Sequence, residues 1–334
     1  MDTNTEQAAG PEGRMSGAVW AVTGANGYVG HALCHHLQDQ GAVVRAVVRS
    51  SEAAESLPGG MDTRVVPEYE AATLEHALDG ADVVVHLAGS AHGRERTTTA
   101  ETLAGEMVAA ASRARVRRML FVSSVKAQVG AAADGVVSEI DPLMPQDSYG
   151  HDKLAAERVV ATNSAGAGME YSIVRPTLVY GPDPRGHLGR LLAWLAAGRP
   201  LPLGGVNNRR SMVSLEALCR LLVTCGLEPA AAGRTYLAAD PDPVSTADLA
   251  HSFARGLGRE GRVFSVPAPC LRAALVLSGR GDWSQRLAGN LEVSSRRALE
   301  ELNWSGNPDT VAELERIAGE YALPVARGVR RDFK

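Results

Sequence analysis

The segment VWAVTGANGYVG, Val19 to Gly30, limits the possible folds more than any other part of the chain. An apolar, β-forming run passes straight into a turn with glycines at 24, 27 and 30, and the helical pattern HALCHHLQDQG follows, ending at Gly41. The three glycines have separate physical tasks. Gly24 permits a tight turn, Gly27 lets the backbone approach a pyrophosphate, and Gly30 permits close packing of helix against sheet. The first turn of the helix adds unpaired N–H groups and the positive end of the helix dipole, both suited to phosphate. A glycine pattern alone says little, but on a first strand–turn–helix unit it predicts a dinucleotide site.

The pattern then repeats. AVVRAVV, ADVVVHLA, RMLFVSS and MEYSIVRP read as strands, each a nearly unbroken apolar run of the kind that parallel strands buried on both faces require. TLEHALDG and EMVAAASRARV read as helices between them. Strand–helix alternation predicts an α/β fold, a Rossmann-type doubly wound parallel sheet. After Pro176 the text breaks into Pro- and Gly-bearing loops with helices around 187–197, 214–226 and 245–257. The expected organisation is a polar leader at 1–16, a dinucleotide-binding domain at 17–178, a smaller substrate lobe at 179–325 whose segments can interleave with the sheet, and a tail at 326–334.

Composition narrows the partners. A net charge of -4 and an aromatic content of 4% give neither the electropositive field nor the stacking surface that nucleic acid needs. The longest late apolar stretch, LRAALVLSG, is too short to cross a bilayer, so no membrane insertion is expected. Cys34, Cys219, Cys225 and Cys270 lack metal-ligand spacing. They read as reduced thiols in a cytoplasmic protein, with Cys219 and Cys225 as small buried groups in a helix, and no metal is expected.

The end of the second strand bears on which dinucleotide binds. An acidic residue there would hold the ribose 2′-hydroxyl of NAD, but Val48 and Arg49 occupy the place. Arg49 can pair with a 2′-phosphate, which leans the reading from NAD towards NADP. Arg45 is a second candidate whose direction strand alternation leaves open.

The segment DSYGHDKLAAER opens a helix capped by Asp147 or Ser148 and places Tyr149 and Lys153 on one face. Together, Thr23–Gly30, VVHLAG, FVSSVK, Tyr149-x-x-x-Lys153 and RPTLVYGP occur in the order and spacing of the extended short-chain dehydrogenase/reductase superfamily, and resemble its NAD(P)-dependent epimerase/dehydratase branch. The resemblance covers roughly residues 18–305. It implies cofactor contacts from Gly24, Asn26, Gly27, Tyr28, Val29, Gly30, Arg49, Leu87, Ala88 and Pro176, with Glu68 at the adenine amino group. The segment GRPLPLGGVNNRRSMVSLEAL is similar to bacterial UDP-N-acetylhexosamine 4-epimerases and 4-keto-6-deoxy-hexosamine reductases. The implied partner is a nucleotide sugar, and the superfamily's helix-pair interface makes a homodimer possible.

The chemistry also stands on the residues. Moving a hydride at a sugar carbon requires a proton to move at the adjacent oxygen, and a phenol with a pKa of about 10 is a poor base at neutral pH. A lysine charge about 5 Å away, at an effective dielectric of about 20, is worth roughly 3 kcal/mol before desolvation, or about two pKa units. Tyr149 is therefore the expected acid/base and Lys153 the group that lowers its pKa and, by resemblance, holds the nicotinamide ribose. Ser124 would bind the same substrate oxygen.

Lys126 reads as a solvated lysine, or as a substrate contact just beyond Ser124. By resemblance Arg210, or its neighbour Arg209, would grip the diphosphate, with His187 nearby and Arg286 as a further candidate.

There are departures from the family pattern. The stretch from Ser90 to Ala100, which contains His92, is shorter than in relatives, and Ala100 stands where an asparagine often opens the next helix. Val125 and Lys126 replace the Asp-Glu pair that dehydratases use to eliminate water, which disfavours dehydration. The expected activity is hydride transfer at C4 of a UDP-hexosamine-type sugar, as a 4-epimerase or a 4-ketoreductase. The alternatives are an NADPH-dependent reductase of a non-nucleotide ketone and a non-catalytic dinucleotide sensor.

Overall fold

The computed structural model describes residues 17–89, 99–277 and 287–322, together with Met15 and Gln285. The expected leader apart from Met15, the expected tail, residues 90–98 of the stretch from Ser90 to Ala100 with His92 among them, and Arg286 lie outside the described residues.

The elements run β1 (Val19–Thr23), α1 (Tyr28–Asp39), β2 (Val43–Val48), α2 (Ser51–Glu55), β3 (Asp62–Val65), α3 (Ala71–Leu78), β4 (Val83–His86), α4 (Ala100–Arg113) and β5 (Arg118–Val122). A 3₁₀ turn (Val125–Ala127) leads to β6 (Val136–Val137), α5 (Ser148–Gly166), β7 (Glu170–Pro176), β8 (Leu178–Tyr180) and α6 (Gly186–Ala196). The remainder is β9 (Met212–Ser214), α7 (Leu215–Leu227), β10 (Arg234–Ala238), α8 (Thr246–Gly256), α9 (Ala268–Leu277), β11 (Glu292–Val293), α10 (Arg296–Leu302) and α11 (Thr310–Ala322).

Among the described residues, seven strands form the main sheet in the order β10-β7-β5-β4-β1-β2-β3, with parallel pairing from β7 through to β3. The five strands expected from apolar runs are present. β3 and β10 are additions that the pattern did not announce, and both lie at sheet edges, where a short strand needs less apolar content. β6 pairs with β11, and β8 with β9, as two small parallel ladders.

The chain divides into two compact units, each discontinuous in sequence. The first comprises residues 1–123, 152–174 and 219–235; the second comprises 124–151, 175–218 and 236–334. In the first unit, β1 alternates as a two-sided strand must. Ala21 joins the core with Leu74 and Leu78 of α3, Leu103 and Met107 of α4, and Ala156 and Val160 of α5. Trp20 points the other way, against Gly226, where an added Cβ would come within 2.1 Å of the indole. Cys219 and Cys225 are buried as expected; Cys34 is buried too, and burial pushes its thiol up to about 12.

The second unit has a core of Leu188, Leu192 and Leu195 from α6, Phe253 from α8, and Leu314 and Ile317 from α11. A smaller cluster of Val125, Val137, Leu237, Leu291 and Val293 packs on the 3₁₀ turn. Among the described residues, no helix is long and apolar enough to span a membrane, and no group of three or more His, Cys, Asp or Glu side chains is placed to hold a metal.

Candidate active site

The glycine turn is built almost as its residue types require. Gly24 has φ +70°, in the left-handed region, and a Cβ on it would meet the Ala88 nitrogen at 3.1 Å and the Leu87 carbonyl carbon at 3.2 Å. The turn is thereby pressed against the chain leaving β4. Gly30 makes the tightest approach: a Cβ there would sit 2.2 Å from the Gly24 carbonyl oxygen. Its close contact is thus with the turn itself, where the sequence suggested the sheet. Gly27 N-caps α1 without any side-chain cap, and the first turn has no acidic residue. A helix start of this kind is a fitting seat for a pyrophosphate. Asn26, Tyr28 and Val29 share this turn.

Behind the turn, at the carboxyl ends of β1, β4 and β5, lies a buried polar group. Thr23 Oγ1 and His86 Nδ1 are 2.8 Å apart, and the His86 ring stacks on Phe121 with centroids 5.8 Å apart. His86 is only 1% exposed, and its pKa is lowered to about 3 by burial first and then by the charges of Lys153 and Arg49. It is a neutral imidazole. Lys153, 3% exposed, donates from Nζ to the Val122 carbonyl at 2.9 Å and lies 4.9 Å from the Phe121 ring centre. Its ammonium is therefore fixed at the end of β5 by a carbonyl dipole and an aromatic face.

Among the described residues, His86 Nε2 and Ser123 Oγ are buried without a hydrogen-bond partner. Such an atom costs about 1–3 kcal/mol, so two at the carboxyl edge of parallel strands fit a site completed by a polar ligand. Together with the uncapped α1 and the glycine cradle, they make this unit fit a nicotinamide dinucleotide. His86 and Phe121 escaped the sequence reading, because a single His inside VVVHLA reads as one more strand residue.

The adenosine side is less sharply defined. Arg49 follows β2, is exposed, and lies over the Tyr69 ring at 4.9 Å. Arg45 is turned away: it pairs with Asp62 at 2.8 Å and donates to the Ala77 and Asp79 carbonyls. Glu68 is exposed in the loop after β3, and its carbonyl accepts from Thr73 Oγ1 at 3.1 Å. Pro176 is buried at the end of β7.

In the second unit, Ser124 N-caps the 3₁₀ turn, its Oγ accepting from the Lys126 N–H at 3.3 Å. Tyr149 is half-buried in the first turn of α5, one turn before Lys153 on the same helix. Asp147 supplies the α5 cap, its Oδ1 accepting from the Gly150 N–H at 2.8 Å; Ser148 is the first helical residue. Lys126 is not simply solvated: its ammonium pairs with Asp147 Oδ2.

The two arginines expected near the substrate separate clearly. Arg209 is exposed and pairs with Glu292 at 2.8 Å. Arg210 is partly buried and donates to the Ala131 and Gly289 carbonyls at 3.2 and 2.9 Å. Burial lowers its pKa, and among the described residues no carboxylate neutralises it, so its charge remains available to an anion. His187 is exposed at the start of α6, where Arg190 donates to its Nδ1 at 2.9 Å.

A glycine phosphate turn after β1, with Ser124 following β5 and a Tyr-x-x-x-Lys pair on the next long helix, defines a dinucleotide-dependent enzyme of the extended short-chain dehydrogenase/reductase class. The profile of the NAD dependent epimerase/dehydratase family matches residues 20–239, and the chain belongs to that family. Its cofactor is accordingly of the NAD(P) type. A UDP-glucose 4-epimerase of Vibrio cholerae is 31% identical over 306 residues, covering 87% of this chain and 92% of that protein. A 4-hydroxy-2-methyl-3-oxo-4-farnesyl-3,4-dihydroquinoline-1-oxide ketoreductase of Stigmatella aurantiaca is 29% identical over 334 residues, covering 91% and 98%. Among solved structures, a UDP-glucuronic acid 4-epimerase from Bacillus cereus in complex with NAD shares the fold with a TM-score of 0.73. Its identity to this chain is 18%, and the match covers 91% of this chain and all of that one.

Proposed function

We propose that this protein is a nucleotide-sugar 4-epimerase acting on UDP-hexoses or UDP-hexosamines. The observation that supports this best is the buried Lys153 ammonium, held to the Val122 carbonyl one helical turn after Tyr149. A positive charge fixed there favours the phenolate and makes Tyr149 a competent base.

In the proposed reaction Ser124 holds the C4 oxygen of the sugar, and Tyr149 removes its proton as C4 becomes a carbonyl. The nicotinamide dinucleotide, when bound, would accept the C4 hydride and give it back to the opposite face of the 4-keto sugar. Tyr149 then returns the proton once the 4-keto sugar has presented its other face. Arg210 would hold the diphosphate, with His187 as a second donor. A guanidinium oriented by two carbonyls binds with little further loss of freedom. Val125 and Lys126 leave the site without the paired carboxyls that water elimination would use.

A second reading, an NADPH-dependent 4-ketoreductase, is favoured by Arg49, which stands at the end of β2 where an NAD-selective acid would be. One experiment separates them. The full chain is incubated with a panel of UDP-hexoses and UDP-hexosamines and products are identified by NMR; in parallel, NADPH oxidation is followed with a UDP-4-keto sugar. Interconversion of C4 epimers without net cofactor consumption is expected, with Tyr149→Phe at least 10²-fold slower, on the order of the usual general-base contribution. Net NADPH oxidation without epimerisation would overturn the epimerase reading in favour of the reductase.

A further inference from the structure

We propose that Asp147, Lys126 and Gly150 form a latch that fixes the separation of Ser124 and Tyr149, so that Asp147 and Lys126 are positioning residues for the proton transfer. The proposal rests on the roles given to Ser124 and Tyr149 above. Those two hydroxyls come from different pieces of local structure, a 3₁₀ turn and the start of a long helix. Both must meet one substrate oxygen, and hydrogen-bonded proton transfer tolerates little error: about 1 Å of misplacement costs on the order of 10²-fold in rate.

Asp147 addresses both pieces with one carboxylate. Its Oδ1 accepts from the Gly150 N–H at 2.8 Å and so fixes the first turn of α5, the turn that contains Tyr149. Its Oδ2 pairs with the ammonium of Lys126. The backbone N–H of that same lysine donates to Ser124 Oγ at 3.3 Å. A continuous path of polar contacts therefore runs from Ser124 to the cap of the tyrosine helix.

Gly150 brings the two pieces into direct contact. A Cβ at this position would lie 2.2 Å from the Lys126 carbonyl oxygen and 3.0 Å from its carbonyl carbon. These are backbone atoms of the 3₁₀ turn, and they cannot swing aside as the end of a side chain would. The start of α5 thus rests backbone against backbone on the turn that follows Ser124.

The segment between them is fixed as well. The Met144 N–H donates to the Gln128 carbonyl at 2.7 Å. The Gln128 side chain donates to the Ser138 and Asp141 carbonyls at 2.6 and 3.1 Å, and accepts from Arg175 at 2.9 Å. Val125, at the centre of the turn, is anchored in the cluster with Val137 and Leu291.

The test uses the full chain with Asp147→Ala, Asp147→Asn, Lys126→Met, Gly150→Ala and, as reference, Tyr149→Phe. Asn caps a helix about as well as Asp but offers Lys126 only a neutral partner. Measured are kcat, KM, cofactor affinity by calorimetry, and the ¹³C resonance of ζ-labelled Tyr149, assigned by its loss in Tyr149→Phe. Asp147→Ala and Gly150→Ala should lower kcat by roughly 10- to 100-fold. Cofactor affinity and KM should change by less than about twofold, because neither residue is assigned a ligand contact. Both variants should also shift the Tyr149 resonance. Asp147→Asn, which keeps the cap but turns an amide N–H towards the Lys126 ammonium, should lose kcat together with Lys126→Met.

Three results would overturn the latch. One is wild-type kcat with an unmoved resonance in Asp147→Ala. Another is wild-type kcat in both Asp147→Asn and Lys126→Met, which would reduce Asp147 to a helix cap. The third is a rise in KM confined to Lys126→Met, which would make Lys126 a substrate contact instead. If Gly150→Ala does not fold, the two Asp147 variants decide. If the wild type transfers no hydride at C4 of any nucleotide sugar, the functional reading fails; the resonance still decides the latch.

Discussion

Neutral His86 makes the stability of this protein sensitive to mild acid, and the size of the effect follows from its surroundings. Its folded pKa is about 3, depressed by burial and by the charges of Lys153 and Arg49, against 6.5 for an ordinary histidine. The unfolded chain therefore binds a proton that the native state refuses between these values. The sign is fixed: below about 6.5 the unfolded state gains affinity for protons first, so stability falls as pH falls, and the loss levels off near pH 3. Within that window the slope approaches about 1.4 kcal/mol per pH unit, and the interval from pH 7 to pH 5 is worth about 2 kcal/mol.

The perturbation is His86→Asn, which leaves a polar atom near Thr23 Oγ1 but cannot titrate. Urea unfolding is followed by tryptophan fluorescence, because Trp20 in the adjacent strand is completely buried. Wild type should lose about 2 kcal/mol more than the variant between pH 7 and pH 5. Taking the difference of differences cancels the carboxylates common to both proteins. Equal losses in the two proteins would refute the argument, because they would show that His86 protonates in the folded state as easily as in the unfolded one.

Gly30→Ala places a methyl 2.2 Å from the Gly24 carbonyl oxygen, so it should destabilise by about 1–3 kcal/mol and weaken dinucleotide binding at least tenfold in calorimetry. Arg49→Glu should move the ratio of NADP to NAD affinity by tenfold or more towards NAD, on the order of one charge-assisted pair; an unchanged ratio would remove Arg49 from the ribose site. Arg210→Met should raise KM for a UDP-sugar about tenfold or more with kcat nearly preserved, as expected for binding shared by ground and transition states. A matching loss with a non-nucleotide ketone would contradict its assignment to the diphosphate.

Much of this architecture was legible because parallel strands buried on both faces leave a local signature. VWAVT, RMLFV and their neighbours need no partner to be recognised. β10 leaves no such signature: its five residues, Arg234–Ala238, follow Gly233 and become a strand only beside β7. The glycine turn was legible in kind and less so in detail, since the spacing of Gly24 and Gly30 does not say that Gly30 makes its closest approach to the Gly24 carbonyl. The same division runs through the site. Ser124, Tyr149 and Lys153 are visible through spacing, whereas His86 acquires meaning from Thr23, 63 positions earlier, and from Phe121 on the next strand.

Lys126 shows why such pairings are hard to read from a sequence. Its position invites two explanations, solvent or substrate, because both are properties of a lysine considered by itself. The structure adds Asp147, 21 residues later, and with it a third explanation that neither residue suggests alone. Asp147 reads locally as a helix cap, which it is, and its second oxygen remains available for something distant. A short polar residue at the start of a helix can thus stabilise the helix and place it with the same carboxylate. The positions of Ser124 and Tyr149 are then properties of the turn, the cap and Gly150 together. Substitution at any of the three should be felt at the hydroxyls before it is felt in the fold.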